Sequence, residues 1–124
     1  MEQNEKLNIG VGNEEAITLK PGTLKIVGVT VEAVGEKKAD KVVCLCKHPD
    51  AENIIKISAV KYESKGKLDT VGLWLNKDSK GLIRKGSALA IFMNCLGVKT
   101  PAELEGKDAS TTTDDKGYLV FKAY

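Results

Sequence analysis

One stretch of this 124-residue chain has the apolar spacing of an α-helix. The i, i+3, i+4, i+7 pattern that gives a helix one buried face is formed by Leu89, Phe92, Met93 and Leu96. Ser87 precedes them as a candidate N-cap, and Gly97 follows them as a candidate helix end. With one main helix predicted, the fold has to be built mainly from strands.

Runs rich in β-branched residues and bounded by turn residues occupy most of the remaining chain. The predicted strands are residues 24–34, 41–47, 54–62, 68–75, 107–113 and 118–124. Gly28 inside the first run indicates a bulge or bend, as barrels need. Thr100-Pro101-Ala102-Glu103 has the form of a capping box with Pro at the first helical position, which predicts one helical turn before the last two strands.

The order of these elements predicts a mostly β fold with one main helix. The architecture we expect is an OB-like Greek-key barrel, which has three strands, an optional helix and two further strands. This chain has one strand more than needed before the helix. The alternative is therefore an α+β fold, with the helix on one face of an open antiparallel sheet. The length fits one domain, placed at residues 16–124 after a flexible N-terminal arm at residues 1–15.

Burial parity predicts the register of the hairpin formed by residues 54–75. The apolar residues of its two strands share one face if a three-residue loop, Ser64-Lys65-Gly66, joins the strands. In that register Ile57 pairs with Leu73. The opposite face then carries Lys56, Tyr62 and Trp74, with Lys56 directly across from Trp74.

Two aromatic rings among lysines on one face are typical of proteins that bind single strands, because the rings stack on bases and the lysines follow phosphates. Residues 16–99 hold fifteen Lys or Arg and eight acids, a net +7, and the two ends of the chain are acidic. Lysines act as point charges, which suits sequence-tolerant binding of single-stranded DNA or RNA. The predicted nucleic-acid-binding residues are Lys37, Lys38, Lys41, Lys47, Lys56, Lys61, Tyr62, Lys65, Lys67 and Trp74.

The same face is also typical of a packing surface, covered by the arm, by a partner protein or by a second copy in a homodimer. A viral or accessory protein-interaction module that binds no nucleic acid is therefore the alternative function. We do not expect an enzyme or a cofactor, because the chain has one His and no Gly-x-Ser-x-Gly elbow for nucleophilic catalysis.

Cys44, Cys46 and His48 alternate along a predicted strand and so share a face, and Cys95 lies on the predicted helix. Structural zinc sites usually take their ligands from turns, so we expect these cysteines to pack in the core and bind no metal. Three cysteines do not make a disulfide framework. The polar, acidic N-terminus is unlike a signal peptide, so we expect a cytoplasmic protein without membrane contact.

Residues 85–124 contain a set of short motifs that mark a helix end, a strand entry and a closing strand. They are Lys85-Gly86-Ser87-Ala88-Leu89-Ala90, Leu96-Gly97-Val98, Glu103-Leu104-Glu105-Gly106-Lys107 and Gly117-Tyr118-Leu119-Val120-Phe121. This region resembles small phage and archaeal-virus proteins of the OB-fold single-stranded-DNA-binding or replication-accessory kind. The resemblance implies an OB-fold, nucleic-acid binding and, for a viral protein, the host cytoplasm. No catalytic residue is among the motifs.

Overall fold

Strands dominate residues 19–124, which are the residues that the computed structural model of the protein describes. They are β1 (Thr23–Val34), β2 (Ala39–Lys47), β3 (Ile55–Ile57), β4 (Ala59–Ser64), β5 (Lys67–Gly72), β6 (Asp108–Thr113) and β7 (Leu119–Ala123). One α-helix, α1 (Ala88–Cys95), and one 3-10 helix, η1 (Pro101–Leu104), lie between β5 and β6 in the described chain. The arm predicted at residues 1–15 falls outside the described residues.

The hydrogen-bonded neighbours follow one another in the order β3-β2-β1-β6-β7-β4-β5. Every pair is antiparallel except β4 with β7, which is parallel because the chain crosses over through α1 and η1 before β7. The result is a mixed, open sheet with β3 and β5 at its ends. A mostly β fold with one helix is confirmed, and the class is consistent with α+β. The parallel pair corrects one detail of the alternative, which was an open sheet with antiparallel strands.

The long first strand carries the predicted bulge. The register between β1 and β2 shifts between Ile26 and Gly28, so the pairing continues with Gly28 opposite Leu45. Before the bulge, Leu24 and Ile26 are buried and Leu24 pairs with Ala109 of β6. The bulge therefore bends β1 so that its first part pairs with both β2 and β6.

Local capping sets the ends of α1. The Ser87 side chain accepts a hydrogen bond from the Ala90 N–H at 3.2 Å, as an N-cap does. The predicted stripe is buried at Leu89, Phe92 and Met93. The Phe92 ring stacks on Phe121 of β7, with ring centroids 4.3 Å apart, and so joins the helix to the sheet. The single helical turn predicted after Thr100 is present as η1.

The strand predicted at residues 54–62 is interrupted at Ser58, which separates β3 from β4. Ile57 and Val60 are both buried in the same core, whereas an uninterrupted strand would turn them to opposite faces. Ser58 therefore acts as an extra residue that reverses the parity of the strand. Its backbone is held by a hydrogen bond from the Leu73 N–H to its carbonyl at 2.8 Å.

The β4–β5 register also differs from the predicted one. Ser64 pairs with Lys67, so the loop has two residues, Lys65 and Gly66, with positive φ of 52° and 80°. Two successive positive φ angles are the signature of a type I′ hairpin turn. The predicted three-residue loop is wrong because its parity argument treats residues 54–62 as one regular strand.

Candidate nucleic-acid interface

The segment that follows β5 positions Trp74. The Leu73 carbonyl accepts a hydrogen bond from the Val42 N–H at 2.8 Å, and the Leu75 N–H donates to the Asp40 carbonyl at 2.9 Å. Leu73 and Leu75 both face the core. Because successive side chains alternate, Trp74 between them is turned to the outer face, where it is half-buried.

Lys41 and Gly72 surround the Trp74 ring. Lys41 forms an isolated antiparallel bridge with Trp74, and its Nζ lies over the indole ring, 4.9 Å from the centroid. A Cβ added at Gly72 would lie 2.8 Å from the Lys41 Cε and 2.8 Å from the Trp74 Nε1. The absence of a side chain at Gly72 therefore lets the lysine and the indole lie close to the backbone.

The hairpin register separates the two predicted aromatic residues. Tyr62 pairs with Asp69 of β5 and is packed, half-buried, against the core. Trp74 lies on the outer face instead. The structure therefore brings Trp74 together with Lys41, and it does not bring Tyr62 to the same surface.

Lys56 lies on the outer face of β3, opposite Leu45 of β2. Its Nζ is 3.2 Å from a carboxylate oxygen of Glu32 on β1. Within residues 19–124, Lys56 and Glu32 thus form an ion pair. The predicted contact of Lys56 with Trp74 is replaced by this ion pair, and Lys41 takes the place over the ring.

The other predicted lysines are distributed over three strands and two turns. Lys37 and Lys38 are exposed in the turn between β1 and β2, and Lys47 ends β2 opposite Lys25. Lys61 lies on β4 and donates a hydrogen bond to the Thr113 carbonyl at 3.3 Å. Two further predicted lysines, Lys65 and Lys67, are exposed on the β4–β5 hairpin.

Acidic side chains alternate with lysines near the ring. Glu36 lies in the turn beside Lys37 and Lys38, and Asp40 immediately precedes Lys41. The charges in this part of the surface nearly cancel. The ring of Trp74, rather than a strong positive field, is therefore the main feature that a ligand would meet here.

The cysteines on β2 are core residues. Cys44 and Cys46 are fully buried, and burial raises the pKa of each thiol to about 12, with the Cys46 charge adding to the effect at Cys44. Cys95 is exposed on α1 and does not join them. Both thiols on β2 are therefore protonated at neutral pH and behave as small apolar side chains.

His48 is a buried structural residue. Its Nδ1 accepts the Asp50 N–H at 2.9 Å, and its Nε2 lies 2.9 Å from the Lys20 carbonyl. An Nδ1 that accepts leaves the ring proton on Nε2, which donates to Lys20. His48 therefore ties the chain before β1 to the end of β2.

Sequence reasoning missed Gly72 and two exposed tyrosines. Tyr118 and Tyr124, at the two ends of β7, are 61% and 51% exposed. Lys122 lies over the Tyr124 ring at 5.0 Å from its centroid. The only sequence signal for the role of Gly72 is that it lies two residues before the single Trp. That spacing does not show that the Lys41 and Trp74 side chains lie close to the Gly72 backbone.

Among residues 19–124, no group of three His, Cys, Asp or Glu side chains is arranged to hold a metal ion. No helix in the described part of the chain has the length and apolarity to cross a membrane. Comparison with known protein families, with characterised proteins and with solved structures finds no match to this chain.

Proposed function

We propose that the protein binds single-stranded nucleic acid on the outer face that carries Trp74, Lys41 and Gly72, with little dependence on base sequence. The observation that carries this proposal is the Lys41 ammonium over the Trp74 ring, 4.9 Å from its centroid. The ring is a platform for a base, and the lysine beside it is a partner for the adjoining phosphate.

The strand pairings support an OB-like barrel as the architecture behind this surface. β3 and β4 are successive parts of one chain segment, separated by Ser58 alone. Counted as one interrupted strand, they pair with β2 through β3 and with β7 through β4. From β7 the pairings continue to β6, from β6 to β1, and from β1 to β2. On this proposal β5 is an extension, and three strands, a helix and two strands remain.

In OB-folds, the face of the second and third strands and the loop between the first two strands bind oligonucleotides. In this chain that face and loop correspond to β2, to β3 and to residues 35–38. Trp74 and Lys41 lie at the β2 end of that face, and Lys37 and Lys38 lie in the loop. The exposed Tyr118, in the turn before β7, offers a second ring near β3, because Ile55 and Tyr118 line the same small groove.

The energies favour a base over the lysine as the occupant of the ring face. A partly exposed cation–π contact contributes roughly 0.5–1 kcal/mol. A base stacked on an aromatic side chain contributes about 1–3 kcal/mol. A bound base therefore displaces the Lys41 ammonium, which then moves to the phosphate beside the base.

The near balance of charge around Trp74 predicts a modest dependence on salt. If one or two lysines contact phosphates, log K falls with log salt with a slope of about −1, because single strands contribute about −0.7 per phosphate. Stacking, and not charge neutralisation, then supplies most of the affinity.

Titration with labelled oligothymidine at two salt concentrations tests the proposal. Trp74 is the sole tryptophan, so quenching of its fluorescence reports on this surface directly. We expect Trp74→Ala to weaken binding by about tenfold or more and Trp74→Phe to retain much of it. Lys107→Ala, a change at an exposed lysine that is not among the predicted nucleic-acid-binding residues, is the matched control for Lys41→Ala. Absence of quenching at low salt, or full binding by Trp74→Ala, would contradict the proposal.

A further inference from the structure

We propose that a groove on the helical side of the protein binds an acidic peptide segment of a partner protein. The groove is lined by residues 81–83 and 85 from the segment before α1, by α1 itself and by residues 98–101. Its volume is about 560 Å³. It contains none of the residues around Trp74, so this interaction is separate from the proposed nucleic-acid binding.

The walls of the groove are mainly aliphatic. Ala90 and Met93 line it from α1, and Ile83 and Val98 line it from the flanking segments. Leu82 stands at its edge and is 62% exposed, the highest exposure among the large apolar side chains that are exposed in the described chain. An exposed leucine beside an apolar groove is typical of an interaction site. The flexible Met93 lets such a wall adapt to different partner side chains.

The loop that carries Leu82 is held rigidly before any partner binds. The Asp78 carboxylate accepts hydrogen bonds from the N–H groups of Lys80 and Leu82 at 2.8 and 3.0 Å. The Asp78 N–H donates in turn to the Leu82 carbonyl at 2.7 Å, and Lys77 bridges to Ile83. A wall that is already ordered loses little conformational entropy on binding, so its apolar contact converts more fully into affinity.

The charges of the groove select the partner. Lys85 and Lys99 line it, both are exposed, and its lining includes no acidic residue. Carboxylates that flank an apolar side chain of the partner would pair with these two lysines. No aromatic ring lines the groove, so it lacks the stacking platform that a nucleic-acid strand uses. An acidic peptide with leucine or isoleucine side chains fits both features.

Binding of two synthetic peptides, followed by chemical shifts of the isotope-labelled protein, tests the proposal. Each peptide has about a dozen residues and alternates leucine with either glutamate or lysine. We expect the glutamate peptide to shift the amide signals of residues 81–85, 90–94 and 98–100. We expect the lysine peptide to bind at least tenfold more weakly. Equal binding of both peptides, no binding of the glutamate peptide, or shifts mainly elsewhere overturns the proposal.

Variants separate this surface from the proposed nucleic-acid interface. Leu82→Asp is expected to weaken the glutamate peptide at least tenfold and to leave oligothymidine binding unchanged. The matched control is Leu68→Asp, because Leu68 is also an exposed leucine but lies on β5, away from the groove. This variant should bind the peptide normally. If oligothymidine competes with the peptide and Leu82→Asp weakens both ligands equally, the groove is a phosphate-binding surface and the peptide proposal is wrong.

Discussion

Single residues account for the local chemistry of this protein. Gly72 lets Lys41 and Trp74 approach the backbone, because a Cβ there would lie 2.8 Å from each of their nearest atoms. His48 connects the segment before β1 to the segment after β2 through hydrogen bonds with Lys20 and Asp50. The three cysteines divide by burial, with Cys44 and Cys46 inside and Cys95 outside.

Thiol reactivity tests this division. A chromogenic disulfide reagent should react rapidly with one thiol per native chain, that of Cys95, because Cys44 and Cys46 are buried and protonated. All three thiols should react in denaturant. Cys95→Ser should abolish the rapid phase, and two or more rapid thiols in the native protein would contradict the placement of β2 in the core.

At the scale of elements, the hairpin of β4 and β5 shows how a short turn selects a register. Lys65 and Gly66 both have positive φ, which a type I′ turn requires. Glycine adopts this conformation without steric cost, whereas lysine does not. The turn therefore contains a residue that does not suit its backbone.

Lys65→Asn should stabilise the protein by about 0.5–1 kcal/mol, because Asn-Gly is a favoured type I′ pair. Urea denaturation measures the change as an increase in the midpoint. Lys67→Asn is the matched control, since Lys67 lies on β5 and asparagine is disfavoured in strands. A lower midpoint for Lys65→Asn would contradict the assignment of a type I′ turn at Lys65 and Gly66.

At the scale of the whole molecule, a ring stack and a strand pairing join distant parts of the chain. Phe92 of α1 stacks on Phe121 of β7, and Val60 of β4 pairs with Phe121 in the parallel ladder. The β2 thiols belong to the same core, which also contains Leu24 and Leu73. The ionisation of those thiols is consequently coupled to global folding.

Stability should fall as the pH rises from about 9 to about 12. Burial raises the pKa of Cys44 and Cys46 from 9.0 to about 12. Within this interval the unfolded chain releases thiol protons that the folded chain retains, so the free energy of unfolding decreases. Urea denaturation from pH 8 upwards measures the effect.

The double variant Cys44→Ala/Cys46→Ala separates this contribution from lysine titration. It should be less stable at pH 8, by about 1 kcal/mol per site, because each change leaves a small cavity. Its stability should also decline less steeply at alkaline pH. Parallel curves for the variant and the parent protein would show that the thiols titrate alike in both states.

The sequence alone determined the features that depend on neighbouring residues. Apolar periodicity and capping residues predicted the buried stripe and the ends of α1. Glycine and turn residues predicted the bulge at Gly28 and the hairpin of β6 and β7. Each of these signals lies within a few positions of the chain. These signals are local because a helix cap or a bulge is formed by adjacent backbone groups.

Only the tertiary structure decided the features that depend on distant segments. The break at Ser58 separates β3, which pairs with β2, from β4, which pairs with β7. It reverses which side chains face the core. That reversal turned Tyr62 inwards and brought Lys41, instead of Lys56, over Trp74. A one-residue shift exchanges the two faces of a strand, so no pattern within residues 54–75 could determine the surface that they form.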